Sequence, residues 1–217
     1  MTIQQPQVII FDLDGVLTDT SEYHYRAWKH LADDEGILFT HEENDIHLRG
    51  IGRRESLIYL IRARQYSEEQ IQEMMERKNH YYNELLKQMT PNDVVAGGRD
   101  LLTETKQAGI KIAVASISKN CRIVLELLDL AHYFDGIADG YSVANSKPAA
   151  DIFVFAAGLV NVCTTACLGI EDADAGIEAI KTAGMRALGI GPKERFHHAD
   201  AVLPSLEHKH LCDLLNI

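Results

Sequence analysis

Short, unbroken apolar runs recur along the chain, and polar stretches with a helical period separate them. Val8-Ile9-Ile10-Phe11, Ile112-Ala113-Val114-Ala115, Cys167-Leu168-Gly169-Ile170, Ala187-Leu188-Gly189-Ile190 and Ala201-Val202-Leu203 are continuous rather than alternating. That is the pattern of strands covered on both faces, as in a parallel sheet. Leu101, Leu102 and Thr105 fall on one helical face, as do Val124, Leu125 and Leu128, and Ile177, Ile180 and Gly184. Strand alternating with helix predicts an α/β fold with a doubly wound parallel sheet.

One stretch breaks this rhythm. Residues 19–91 are polar, rich in Glu, Arg, Gln and Tyr, and carry helical stripes only: Trp28, Leu31 and Ala32; Leu57, Leu60 and Ile61; and Ile71, Met74, Met75 and Lys78. The prediction is a helical cap inserted after the first strand, with residues 1–18 and 92–217 forming the α/β core. Hinges are expected near Thr18–Thr20 and Thr90–Val94. No internal repeat or low-complexity linker is visible in the sequence.

Composition narrows the classes of function. With 217 residues, 46% of them hydrophobic, the chain is long enough for one large core plus an accessory domain. No apolar run approaches a membrane span, and the opening MTIQQPQ lacks the basic-then-apolar pattern of a signal peptide, so a cytoplasmic protein without membrane contact is expected. Cys163 and Cys167 have no second pair to complete a zinc site, and Cys121 and Cys212 stand apart, so all four read as reduced structural thiols. The net charge of -11 argues against nucleic-acid binding, which needs a basic face. It leaves room for a small anion, because a metal ion, a few cations and helix N-termini override the global sign within one pocket.

The chemistry concentrates where strands end. Phe11-Asp12-Leu13-Asp14-Gly15-Val16 places two carboxylates just past the first strand, where open α/β sheets collect ligands. A single Asp there is commonly a solvated turn; two in this pattern favour a functional reading. Ser116 follows the second run and leads toward a helix, as a phosphate cradle or equally as an N-cap. Lys147-Pro148 lies in a polar loop, where a lone Lys is usually solvated and Pro148 at a helix start would hold it at the rim. Glu171-Asp172 closes a further strand, fitting hard-cation ligation or, more blandly, helix-dipole complementarity. Only the Asp12/Asp14 element is strong alone; the ordered set is far stronger than its members.

That order, Asp12-x-Asp14-Gly15, then Ser116, Lys147 and Glu171-Asp172, resembles the haloacid dehalogenase superfamily of phosphotransferases. Glu22-Tyr23-His24, Arg26-Ala27-Trp28, Leu48-Arg49-Gly50, Ser118-Lys119-Asn120, Ser146-Lys147-Pro148 and Asp151-Ile152-Phe153 extend the resemblance to its sugar-phosphate mutases. It covers nearly the whole chain and is weakest after Gly191. It implies a Rossmann-like core with a cap, and a phosphomutase interconverting β-D-glucose 1-phosphate and β-D-glucose 6-phosphate, with glucose 1,6-bisphosphate as the activating intermediate. Asp12 would become an aspartyl phosphate, and Asp14 would be the general acid and base. Asp12, the carbonyl of Asp14, Glu171 and Asp172 would surround Mg²⁺. Ser116, the N–H of Ile117, and Lys147 would hold the transferring phosphoryl group. Arg53, Ser118 and Asn120 would grip the second phosphate, with Thr20, His24, Arg49, Gly50 and Lys119 completing the substrate site.

The chain departs from that family in having Arg49 for Lys, Ile117 for a small residue and Ala173 where Ser is frequent. A monomer is expected, with a small sugar phosphate as its partner. The competing reading is a phosphatase of sugar phosphates or other small phosphomonoesters, with water as acceptor. A catalytically idle binding protein is disfavoured because the acidic and Lys set is complete.

Overall fold

The computed structural model describes residues 5–48 and 51–215; Arg49 and Gly50 therefore lie outside the described residues. The chain divides into two units, one formed by residues up to Asp19 together with those from Thr90 onward, the other by Thr20–Met89.

The first unit is built on six strands: β1 (Val8–Phe11), β2 (Lys111–Ala115), β3 (Gly136–Ala138), β4 (Cys167–Glu171), β5 (Arg186–Ile190) and β6 (Ala201–Leu203). They lie in the order β3-β2-β1-β4-β5-β6, and every neighbouring pair is parallel. Such pairs need crossovers, supplied among others by helices over Gly98–Gln107, Cys121–Leu127, Asp151–Leu159 and Asp174–Thr182. β1 is central and fully buried, as its unbroken apolar run requires. Its register sets Phe11 beside Val114 of β2 and Ile170 of β4, so three strands end at one level.

Two differences from the sequence reading have plain causes. β3 has three residues, one of them glycine, too short a run to stand out from its surroundings. Gly184 does not continue the Ile177–Ile180 stripe: the helix ends at Thr182, and Gly184 adopts φ +74 while Met185 N–H donates back to the Ile180 carbonyl. A left-handed residue at that point terminates a helix, which glycine does without a Cβ penalty.

The second unit contains α1 (Ser21–Asp34), α2 (His41–His47), α3 (Arg53–Ile61) and α4 (Glu68–Leu86); the core helices above are then α5 to α8, and Leu211–Leu215 is α9. The three stripes converge, with Trp28, Leu31, Ala32, Leu57, Leu60, Ile61, Ile71 and Met74 in one buried cluster. α2 lacks a stripe because Asn44 is its one buried residue; Thr40 and Glu43 start it with a capping box. No helix among the described residues is long and apolar enough to cross a membrane. All four cysteines are free; Cys121 and Cys167 are buried, and Cys163 and Cys212 are exposed.

Ile10 is fully buried in the cluster that includes Ala113 and Phe153. Ile10→Ala is expected to cost the core roughly 2–5 kcal/mol, from lost burial plus the residual cavity. Urea unfolding followed by far-UV circular dichroism checks it, and a loss below about 1 kcal/mol would show that the site collapses without penalty.

Candidate active site

The end of β1 delivers Asp12 into a buried cluster. Asp12 N–H donates to the Ile170 carbonyl at 2.9 Å, extending the β1–β4 ladder one residue past the strand. The Asp12 carboxylate accepts a hydrogen bond from Lys147 Nζ at 2.5 Å, and Glu171 Oε2 accepts a second from the same ammonium at 2.7 Å. All three side chains are almost wholly out of water. The other Glu171 oxygen accepts the backbone N–H groups of Asp172 and Ala173 at 3.1 and 3.2 Å. Lys147 is thus a buried bridge between two strand ends, not a solvated loop cation. Pro148 also differs from expectation: it follows a cis peptide and precedes α7, which starts only at Asp151, so it lies in the loop rather than in a helical first turn.

Three carboxylates crowd the cluster. Asp12, Glu171 and Asp172 are all buried, with carboxylate oxygens within 4.8 Å of one another. Burial pulls the Lys147 pKa down, but the charges of Asp12 and Glu171 outweigh it, and the ammonium is held firmly protonated. Burial, then the Asp12 charge, pushes Glu171 up to about 8 despite Lys147. Burial likewise raises Asp12, with Asp172 adding to the effect against Lys147. Hard oxygen donors gathered at this spacing suit a small divalent cation such as Mg²⁺. Gly15 is part of the same packing. Its φ of +90 turns the chain, and a Cβ there would lie 2.2 Å from Asp172 Oδ2. Asp14, just before it, is half-buried.

Ser116 lies one residue past β2, fully buried, and its N–H donates to the Ala138 carbonyl. It is not an N-cap: α6 begins at Cys121, and Asn120 precedes it. Instead the Ser116 hydroxyl oxygen accepts Ser118 N–H at 3.1 Å, and the Ser118 hydroxyl oxygen accepts Asn120 N–H at 3.2 Å. Two successive serine turns therefore shape the loop. Ile117 and Ser118 are half-buried, Lys119 is exposed and Asn120 is buried.

The remaining expected residues belong to the helical unit. Thr20 is buried, and its carbonyl accepts His24 N–H at 2.9 Å. Arg53 opens α3 and donates to Asn79 Oδ1 at 2.9 Å. His24 Nδ1 is 2.9 Å from Lys78 Nζ, and that ammonium lies 4.7 and 4.8 Å from the ring centroids of Trp28 and Tyr82. Burial, then the charges of Lys78 and Arg53, hold His24 well below the usual imidazole range, so it is neutral at pH 7. Lys78 was visible in the sequence only as one member of an apolar stripe; a cation in such a stripe was the signal for its buried role.

Asp139, buried just past β3, was missed together with that strand. Glu171→Gln removes one ionisable carboxyl from the acidic cluster while keeping its shape. Mg²⁺ affinity, measured by titration calorimetry, is expected to fall roughly 10–100-fold with the fold intact. An unchanged affinity would remove Glu171 from the surroundings of the metal.

Residues 9–190 match the haloacid dehalogenase-like hydrolase family. The chain is 42% identical to the β-phosphoglucomutase of Bacillus subtilis, a match covering 91% of this chain and 88% of that protein. It is 32% identical to the phosphorylated carbohydrates phosphatase of Thermotoga maritima, over 84% of this chain and 83% of the relative. The crystal structure of β-phosphoglucomutase from Clostridium difficile aligns with a TM-score of 0.93 at 40% identity, covering 97% of this chain and 96% of that one. Matches of this length and identity leave one assignment: the chain belongs to the haloacid dehalogenase-like hydrolase family.

Proposed function

We propose that this chain is a phosphomutase that interconverts β-D-glucose 1-phosphate and β-D-glucose 6-phosphate. The reaction runs through an aspartyl phosphate on Asp12 and a glucose 1,6-bisphosphate intermediate. The observation that carries the reading is the Asp12 carboxylate, held by buried Lys147 at the end of the central strand. It stands in a chain 42% identical to a β-phosphoglucomutase.

A carboxylate meets a phosphate only if their mutual repulsion is offset. Lys147 meets part of that need, and its two hydrogen bonds fix the direction in which Asp12 faces. Asp12, the Asp14 carbonyl and Asp172 would hold Mg²⁺, which when bound supplies the remaining positive charge. Ser116 and the N–H of Ile117 bind oxygens of the transferring group, in the loop that the two serine turns pre-shape. Asp14 protonates the leaving sugar oxygen in one half-reaction and takes the proton from the accepting hydroxyl in the other. Ser118 and Asn120 grip the phosphate that is not being transferred, and Lys119 beside them completes the substrate site. On the helical unit, Thr20, His24, Arg49, Gly50 and Arg53 keep the substrate-binding roles that the family resemblance gives them.

The Thermotoga maritima relative carries a phosphatase name, so water is the acceptor to test against. Purified protein with Mg²⁺, β-glucose 1-phosphate and catalytic glucose 1,6-bisphosphate is expected to form glucose 6-phosphate without matching phosphate release. Phosphate without isomerisation would keep the Asp12 chemistry and make the chain a phosphatase. Asp12→Asn is expected to lower turnover by more than about a thousandfold, with no phosphate label retained on the protein. Substantial residual transfer would sink the nucleophile assignment. Asp14→Asn is expected to lose roughly 10²–10⁴ in kcat with Mg²⁺ affinity preserved; a near-normal rate would end its acid–base role.

A further inference from the structure

The loop after β3 has no part in the chemistry above, yet it backs the Ser116–Asn120 loop along its length. Ser116 N–H donates to the carbonyl of Ala138, the last residue of β3, at 3.0 Å, and Gly140 N–H donates to the Ser118 carbonyl at 3.2 Å. A Cβ on Gly140 would sit 2.2 Å from the Ile117 carbonyl oxygen and 3.1 Å from Lys119 Cγ. The absent side chain is therefore what lets the two loops touch and lets the Lys119 stem cross.

Beyond Gly140, Lys119 Nζ lies 5.0 Å from the centroid of the Tyr141 ring. The backbone of Tyr141 is itself pinned. Asp139 Oδ1 accepts Tyr141 N–H at 3.0 Å and the Ser142 hydroxyl at 3.1 Å, and Asp139 Oδ2 accepts Arg122 Nε from α6 at 3.0 Å. A large aromatic side chain left 72% exposed, with its own N–H held by an Asp139 that is itself anchored to Ser142 and Arg122, calls for an account other than packing.

We propose that Tyr141 is a positioning residue: its ring face sets the direction of the Lys119 ammonium in the substrate site and, through it, the affinity for the sugar bisphosphate. The inference rests on the mutase reading. A lysine on a flexible four-carbon stem is a poorly directed point charge. A ring beneath the ammonium narrows its range while leaving the outer N–H groups free to donate, and an exposed cation–π contact corresponds to roughly a two- to fivefold effect on affinity.

The test measures binding of glucose 1,6-bisphosphate by titration calorimetry at fixed Mg²⁺, with Asp12→Asn as the parent so that nothing turns over. Tyr141→Ala is expected to weaken binding roughly two- to fivefold, Tyr141→Phe to match the parent, and Tyr141→Ala to add nothing once Lys119→Met is present. Tyr141 is exposed, so its removal does not threaten the fold. If the parent binds and Tyr141→Ala binds equally well, the proposal falls while the mutase reading stands. It falls also if Lys119→Met has no effect, or if the Tyr141→Ala loss persists in its presence. A parent that binds no sugar bisphosphate would overturn the mutase reading, and this proposal with it.

Discussion

A single ammonium, Lys147, is kept out of water between carboxylates from two strands. Moving one such ion into a low-dielectric interior costs several kcal/mol even after relaxation, so the contact persists only where both acceptors are rigidly placed. The sheet supplies that rigidity. β1 is paired in register with β4 to its last residue, and the Asp12 N–H adds one further rung to the same ladder. Strand order, strand length and the turn at Gly15 thus serve the same end, to hold the carboxylates of Asp12, Glu171 and Asp172 close together.

The second unit contains a buried lysine solved by different means. Lys78 has aromatic faces of Trp28 and Tyr82 around it and a neutral imidazole beside it. Where Lys147 lifts its own pKa by drawing on anions, Lys78 acts on its neighbour, helping to keep His24 from taking a proton. Neither feature follows from the net charge of -11.

The sheet and the core of the site were legible because they rest on local signals. Unbroken apolar runs marked β1, β2, β4, β5 and β6, and Asp12, Ser116 and Glu171-Asp172 stood at or next to the ends of those runs. β3 left no such signal, being three residues long with a glycine first. Asp139 and Tyr141 went with it, since a residue past an unseen strand has no address. α2 was hidden because it buries almost nothing apolar. The depth of Lys147 was likewise out of reach: whether a loop lysine is solvated or engaged depends on contacts 135 and 24 residues away in the chain. Family resemblance, not periodicity, named the residues of the helical unit.

The 70-residue excursion of Thr20–Met89 leaves and re-enters the first unit at a narrow neck. Thr18 bridges Val94, Val95 N–H donates to the Leu17 carbonyl at 3.0 Å, and the Thr18 hydroxyl donates to the Asp93 carbonyl at 2.8 Å. To the sheet, everything between is one closed loop, and the entropy of closing a loop grows only with the logarithm of its length. Doubling the excursion would cost about 0.6 kcal/mol. The neck thus insulates the strand that leads to Asp12 from the size and content of what is inserted, and an insert of another length or make-up leaves the sheet unchanged.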